Sequence, residues 1–451
     1  MLRLHDTPSG RALPFEPRDE GEVSMYVCGP TVYDLPHVGH GRAVLVYDVL
    51  RRYLEWLGYR VRHVSNITDI DDKIIQRAQE EGRPPEEVAR EYEAAWYDAV
   101  DRLGVARPTV DPHATDYVEG MVDLVGRLLD AGRAYVTSDG VYLATDTVPG
   151  YGLLALQPLQ TLRAGARVDV SNDKRSPLDF ALWKLAKPGE PSWPSPWGAG
   201  RPGWHTECVV MSLDLLGDGF DLHAGGMDLM FPHHENERAQ AVALGHVFAR
   251  HWMHHAFVEV GGEKMSKSLG NFTTLTELID SADPRAFRLL VLMSHYRKPM
   301  EVTRPTVEAA SRAVETLDEF SRRAAGLGAV APDPAAMEAF RRHMDDDFDT
   351  PAVVAQLADL RRRANTAIDA GDGEAAAPLA AAVAEIAGAL GLELAGPETD
   401  VPAEVLDAVD DRQRARAARD YAAADSIRAR LDGDGWVIED TPQGPRVHRR
   451  A

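Results

Sequence analysis

The sequence predicts an α/β fold built around a parallel sheet, and three observations carry that prediction. A strand, a helix and a second strand follow one another between Val23 and Val64, with polar residues at the strand ends. The α/β pattern resumes at Asp221-Leu222-His223 and again from His255 to Val260. A long Ala-rich helical run then replaces it from about Pro305 to Leu394, which predicts a separate helical bundle.

Taken in order, Val23 to Cys28 is a short buried strand closed by the turn Gly29-Pro30-Thr31. Val38 to Leu57 has helical periodicity, with Val44, Val46, Leu50, Tyr53 and Leu54 on its apolar face. Tyr59 to Val64 is the second strand and runs into Asn66-Ile67-Thr68-Asp69. In parallel sheets ligands bind at the carboxyl ends of the strands, so these two ends are the first place to seek a site. Residues 72–135 have a helical pattern, and 140–200 are mixed. The Pro/Gly/Trp-rich loop from Pro188 to Gly203 marks a domain edge. After the bundle, residues 397–402 form a linker. An Arg-rich helix from Glu404 and short strands around Trp436 to Val447 complete a small terminal unit.

A chain of 451 residues with 44% hydrophobic and 27% charged residues has the composition of a soluble globular protein, and not of a disordered, collagenous or membrane-embedded one. Its N-terminus lacks a basic-then-apolar leader pattern, and Pro378, Glu385 and Glu393 interrupt its most apolar stretch. Cys28 and Cys208 are too few for a disulfide framework, and free thiols predict a reducing cytoplasm. A formal net charge of −22 excludes indiscriminate binding of polyanions. Basic residues do gather at the end: residues 412–451 carry nine Arg against six acids, a local +3 that a solvated helix face would also show. Only seven of the 49 basic residues are Lys, and two of them fall together in Lys264-Met265-Ser266-Lys267-Ser268.

Three constellations carry chemistry. His37-Val38-Gly39-His40 opens the first helix, where two His on one face stand beside free backbone N–H groups and the positive end of the helix dipole. Gly39 removes a side chain, so a bulky ligand can approach the backbone, which suits phosphate and nucleotide binding. The KMSKS segment sits among Gly261, Gly262 and Gly270, and its two Lys suit a clamp on polyphosphate. The third set comprises Cys28, Trp204-His205-Thr206-Glu207-Cys208 and Phe231-Pro232-His233-His234-Glu235-Asn236-Glu237. Pro232 suits the first position of a helix, and His233 with Glu237 at i, i+4 could then ligate one metal. His234 with Glu237 at i, i+3 is geometrically nearly as good, so the spacing leaves both open.

The pairing of HVGH with KMSKS resembles the HIGH and KMSKS signatures of class I aminoacyl-tRNA synthetases, with Val38 in place of Ile. That resemblance implies a Rossmann-like parallel sheet in which His37, His40 and Gly39 bind ATP and stabilise the transition state at its α-phosphate. Lys264 and Lys267 would act on the departing pyrophosphate. MYVCGPTVYD, SNITDIDDKII, GWHTEC and FPHHENE further resemble the cysteinyl-tRNA synthetase family, although Ala224 stands where that family usually has Gly. The resemblance implies one Zn2+ per chain held by Cys28, Cys208, His233 and Glu237, Mg-ATP as substrate, and L-cysteine and tRNA-Cys as partners. Zinc binds a thiolate far better than an alcohol, which would reject serine without an editing site. Thr31, Thr68, Trp204 and His205 would belong to the cysteine pocket.

The same resemblance implies a catalytic domain at residues 1–120 and 196–260 with a connective insertion at 121–195. The KMSKS and stem-contact region then occupies 261–312, a helical bundle 313–395 and an α+β anticodon-recognition unit 396–451. Within that unit Asp425 and Asp440 would read anticodon bases as hydrogen-bond acceptors. A related amino-sugar ligase of the mycothiol pathway, using the same adenylate, would lack this tail. Lys73-Ile74-Ile75-Gln76-Arg77 matches a segment implicated in pyridoxal phosphate binding and cysteine persulfide synthesis, whereas the acids before it favour a local ion pair for Lys73. The chain would be a cytoplasmic monomer with no membrane contact.

Overall fold

A computed structural model describes residues 1–155, 173–260, 263–264, 274–396, 401–441 and 444–449. Its centre is a four-stranded, wholly parallel sheet in the order 249–255, 220–226, 22–27, 60–65. The register sets Met25 opposite Leu222 and Tyr26 opposite both His223 and Val64. The edge strand is Ala249–His255, so the expected strand at His255 to Val260 begins too late. The next strand in the chain, Val258–Val260, pairs instead with Met300–Glu301 and Glu263–Lys264.

The helix Val38–Trp56 comes after the strand Glu22–Val27 and buries Leu45, Val46, Val49, Leu50, Tyr53 and Leu54 against the main core. Burial of each such side chain contributes roughly 1.5–3 kcal/mol, which fixes the start of the helix relative to the strand ends. Residues 72–135 form three helices, Asp72–Glu81, Pro85–Arg102 and Val118–Asp130. Their pattern ends in a strand, Ala134–Val136, that opens a four-stranded antiparallel sheet with 140–143, 180–185 and 200–202. This sheet extends through Gly200–Pro202, past residue 195, because Trp183 pairs with Pro202 and its ring is fully buried.

Four helices, Arg304–Ala324, Pro334–Asp345, Thr350–Asp369 and Gly373–Ala389, make the bundle, each preceded by a Thr or Asp whose side chain caps its first turn. Of the expected linker, residues 397–400 lie outside the described residues. The terminal unit has two helices, Ala403–Ala417 and Tyr421–Gly433, and an antiparallel hairpin, Trp436–Thr441 with Gly444–Arg449. A small core of Val405, Val409, Leu431, Trp436 and Ile438 holds it together. Asp48 in the first helix and Arg288 in the helix Pro284–Leu292 join the sheet to the bundle. Their side chains meet at 2.6 Å, both 1% exposed, and Arg288 also donates to the carbonyls of Leu103, Gly104 and Leu390. Among the described residues no helix is long and apolar enough to cross a membrane.

Candidate active site

The carboxyl ends of the four parallel strands open into one cavity of about 580 Å³, lined among others by Cys28, Thr31, Gly39, Lys73, Trp96 and Trp204. The backbone is close-packed where the chain leaves the strand Glu22–Val27. A Cβ on Gly29 would lie 1.6 Å from the Asn66 carbonyl oxygen, so only glycine permits this crossing. Asn66 itself accepts from the Gly29 N–H at 3.0 Å and from the Tyr26 hydroxyl at 3.1 Å, and thereby fixes the loop that carries Cys28.

His37 and His40 line the cavity as a stacked pair, ring centroids 3.6 Å apart. His37 Nδ1 accepts from the His40 N–H and His40 Nδ1 accepts from the His37 N–H, each at 3.2 Å. Two of the backbone donors expected to be free for a ligand are therefore taken by the imidazoles. In exchange each neutral ring must carry its proton on Nε2, which becomes the donor. Burial, with the nearby charges of His37 and Lys73, holds His40 well below the usual histidine range. Lys264 lies in the two-residue strand Glu263–Lys264 that pairs with Val260 and Glu259. Lys267 and the glycines 261, 262 and 270 lie outside the described residues.

Beneath the cavity Cys28, Cys208, His233 and Glu237 place their donor atoms within 4.8 Å of one another. The sulfur atoms are 3.9 Å apart, Cys208 Sγ is 3.6 Å from His233 Nε2, Cys28 Sγ is 3.5 Å from Glu237 Oε1, and His233 Nε2 is 2.9 Å from Glu237 Oε1. A tetrahedron with zinc–donor bonds of about 2.0–2.3 Å has edges of roughly 3.3–3.8 Å, so the set is close to that size. Of the four, Cys28 also lines the cavity.

The local fold differs from the expected one at Pro232. It lies within a single π turn, Met230–His234, and the helix proper starts at Glu235, because Phe231 takes an extended backbone conformation and breaks the run. The i, i+4 relation of His233 and Glu237 survives, since the turn leads directly into the helix. His234 stands against Cys28 as well, with Nε2 3.3 Å from the sulfur, and joins a second overlapping donor set with Cys28, His223 and Glu237.

These groups set one another's charge. A hydrogen bond from the Cys28 thiol pulls Cys208 down to about 6 against the opposing effect of burial, whereas burial raises Cys28 well above the thiol range. Burial opposes charge on His233, but Glu237 and Cys208 outweigh it and lift the imidazole to about 10. Glu237, despite burial, is held well below the carboxylate range by His223 and His233. The protons on His233 and Cys28 thus stand where a cation would displace them. Three of the imidazole and carboxylate donors have a backing group: His223 Nε2 is 2.7 Å from Glu237 Oε2, His205 Nδ1 is 2.8 Å from His233 Nδ1, and His254 Nε2 is 2.7 Å from His234 Nδ1. His223 and His254 are not legible in the sequence as site residues. Their alternate positions on two parallel strands are the only signal, and it requires the strand order.

Three expected positions are arranged differently. Thr68 is buried and absent from the cavity lining: its hydroxyl donates to Glu207 Oε2 at 3.1 Å and accepts from Asn66 Nδ2 at 3.1 Å, so it braces the site from behind. Lys73 does not pair with the acids before it. Asp69 accepts from Thr115, Asp71 caps the helix, and Asp72 binds Lys184 and Arg201, while the Lys73 ammonium sits 3.4 Å from the Tyr33 hydroxyl. In the terminal unit Asp425 is exposed, whereas Asp440 receives both terminal nitrogens of Arg412 at 2.8 Å and Arg416 at 2.7 Å. That fork already engages both oxygens meant for an anticodon base.

A parallel sheet with an inserted antiparallel domain, a mutually capped HVGH turn and a helical bundle is the architecture of class I tRNA synthetases. Residues 14–312 match the model of the class I (C) tRNA synthetase catalytic domain, and residues 339–395 match the DALR domain. Solved structures agree on the fold. Methionyl-tRNA synthetase of Mycobacterium tuberculosis in complex with methionyl-adenylate superposes with a TM-score of 0.61 at 16% identity, over 82% of this chain and 89% of that one. The cysteine–tRNA ligases of Halorhodospira halophila and Alkalilimnicola ehrlichii are 45% and 46% identical, each over the whole of both chains. The chain belongs to the cysteine–tRNA ligase family, and as a tRNA synthetase it binds ATP, an amino acid and tRNA.

Proposed function

We propose that the cavity forms cysteinyl adenylate from L-cysteine and Mg-ATP and then passes cysteine to the 3′ end of tRNA-Cys. The carrying observation is the convergence of Cys28, Cys208, His233 and Glu237 at the cavity that the HVGH pair lines. Two thiolates, an imidazole and a carboxylate fit zinc, and both thiols fall in this set, which favours it over the one containing His234. Zinc bound there supplies a Lewis acid that prefers a thiolate to a hydroxyl. Trp204, whose ring centroid is 4.0 Å from that of His233, and Thr31 shape the pocket for the amino acid, with His205 orienting His233 from outside.

In the first step the cysteine carboxylate attacks the α-phosphorus, a phosphorus–oxygen bond forms and the bond to pyrophosphate breaks. His37 and His40 donate from Nε2 to the phosphoryl oxygens as their charge grows, and the stacked pair needs no reorganisation to do so. Gly39 admits the nucleotide to the helix N-terminus, and Lys264 and Lys267 neutralise the leaving pyrophosphate. In the second step a ribose hydroxyl of the terminal adenosine attacks the activated carbonyl. An ester bond forms, the mixed anhydride breaks, and AMP leaves with the bonding pair while its phosphate takes the proton. No side chain acts as a covalent nucleophile, so positioning and electrostatics carry the rate.

The layout 1–120 with 196–260, 121–195, 261–312, 313–395 and 396–451 assigns the last unit to anticodon recognition. Asp425 and the Arg around Asp440 supply its contacts. The two free cysteines support a reducing cytoplasmic location, and the enzyme is read as a monomer. Pyridoxal phosphate, if bound, would meet the Lys73 amine at the cavity wall. The test is charging of total tRNA with labelled cysteine and ATP, with serine and the mycothiol amino sugar as controls. Cysteine-specific, acid-precipitable product is the expected result. Product on the amino sugar without charged tRNA would overturn the reading.

A further inference from the structure

The cavity has a second wall, away from the strand ends that carry Gly226 and Asp228. The sheet order places the ends of strands 249–255 and 220–226 on one side, with Gly226, Asp228 and Phe257, and Cys28 in the middle. On the far side, beyond strand 60–65, the wall is built from the helices Asp72–Glu81 and Pro85–Arg102. They pack on a small separate core of Val32, Ile67, Ile74, Ala78, Val88 and Ala89. The rim of that core is aromatic: Tyr33, Tyr92, Trp96 and Tyr97.

Cations lie over these rings. Lys73 Nζ is 4.6 Å from the Tyr33 ring, the Arg77 guanidinium 5.6 Å from Tyr92 and that of Arg107 3.7 Å from Tyr97. Trp96 presents a half-buried indole whose ring centroid is 5.8 Å from His40, in an edge contact. Lys73 is also half-buried, and its three acidic neighbours all have other partners. Among the described residues it forms no ion pair with a carboxylate, although its charge reaches His40. An ammonium so placed at the cavity wall stands where it can meet an anion that a substrate brings.

Flat aromatic faces interleaved with cations are how proteins hold single-stranded RNA, with the rings stacking on bases and the cations meeting phosphates. The amino-acid and nucleotide sides of the cavity are assigned to the adenylate, and the transfer step needs a third reactant beside the HVGH pair. We propose that Trp96, Tyr33 and Lys73 form the subsite for the 3′-terminal nucleotide of tRNA, with Trp96 as the stacking face for the base and Lys73 as the contact to its phosphodiester. This rests on the charging reaction proposed above and assigns residues to one of its substrates.

The test uses the full chain and three variants, Trp96→Ala, Trp96→Phe and Lys73→Met. Pyrophosphate exchange with cysteine and ATP reads adenylate formation and the integrity of the fold. Single-turnover transfer from preformed enzyme-bound adenylate reads use of the tRNA end. The expected result is a tenfold or greater fall in transfer for Trp96→Ala and Lys73→Met, with a much smaller fall in exchange than in transfer for both, and near-wild-type transfer for Trp96→Phe. Binding of tRNA lacking its terminal adenosine supplies a cycle: the deletion should weaken binding to wild type and leave binding to Trp96→Ala unchanged. Unchanged transfer, or exchange that falls in parallel with transfer, overturns the assignment. A wild-type enzyme that charges no tRNA would instead overturn the parent reading, which separates the two failures.

Discussion

His37 and His40 cap each other: each imidazole Nδ1 accepts the other residue's backbone N–H at 3.2 Å, and the rings stack 3.6 Å apart. The arrangement joins helix stability to chemistry, because the bonds that start the helix also dictate which nitrogen carries the proton. Replacing His37 by Ala removes a cap worth about 1 kcal/mol and one Nε2 donor together. Replacing it by Asn restores the cap and not the donor. Pyrophosphate exchange should fall by roughly 10²–10³ in both variants, while thermal stability should recover only in His37→Asn. Equal exchange rates in His37→Asn and wild type would refute the donor role.

Cys208 is the more buried of the two sulfur donors, 1% exposed. In Cys208→Ser the metal content, measured by mass spectrometry, should fall from about one zinc per chain to below about 0.2. The KM for cysteine in pyrophosphate exchange should rise more than about 100-fold, with the KM for ATP nearly unchanged. Full retention of zinc would remove Cys208 from the ligand set.

His63 is buried with neither ring nitrogen hydrogen-bonded, and burial lowers it to about 3. The unfolded chain gains that proton near pH 6.5 and the folded protein does not. Stability is therefore intact above about 6.5 and falls as pH drops towards 3, by about 1.4 kcal/mol per pH unit for this one group. His63→Phe should flatten the loss of unfolding free energy between pH 6 and 4 by about that slope, measured by urea titration. An unchanged slope would show that His63 is protonated in the folded state.

The Asp48–Arg288 pair is buried on both sides: Asp48→Asn leaves the Arg288 charge buried without its carboxylate, and Arg288→Met leaves Asp48 with the charge of Arg52 alone, at 2.9 Å. Asp48→Asn or Arg288→Met alone should lower stability by about 3–5 kcal/mol, and the double variant should recover part of that loss. A double-mutant cycle by chemical denaturation reads the coupling. Additive losses would mean that the two residues act independently.

How much is legible in the sequence varies with the range of the interaction. The parallel-sheet class, the start of the first helix at Val38 and the bundle come from periodicity and turn residues, which are local. HVGH and KMSKS stand out as residue types at fixed spacing, whereas the four zinc-ligand candidates rest on the family resemblance, since spacing leaves His233 and His234 both open. At Pro232 the local rule fails, since its suitability for a first helical turn is overridden by an extended Phe231 and a helix that starts three residues later.

What the sequence by itself determined is the list of reactive groups and the elements that carry them, because helix phase and strand alternation depend on near neighbours. Only the tertiary structure decided which groups meet. Strand order brought His223 and His254 behind the donor set, and turned Lys73 from the acids beside it towards Tyr33 and the cavity. It also withdrew Thr68 from the pocket and engaged Asp440 with Arg412. The reason is physical: these contacts join residues tens to hundreds of positions apart. Their geometry is fixed by the packing of a shared core, which no local pattern encodes.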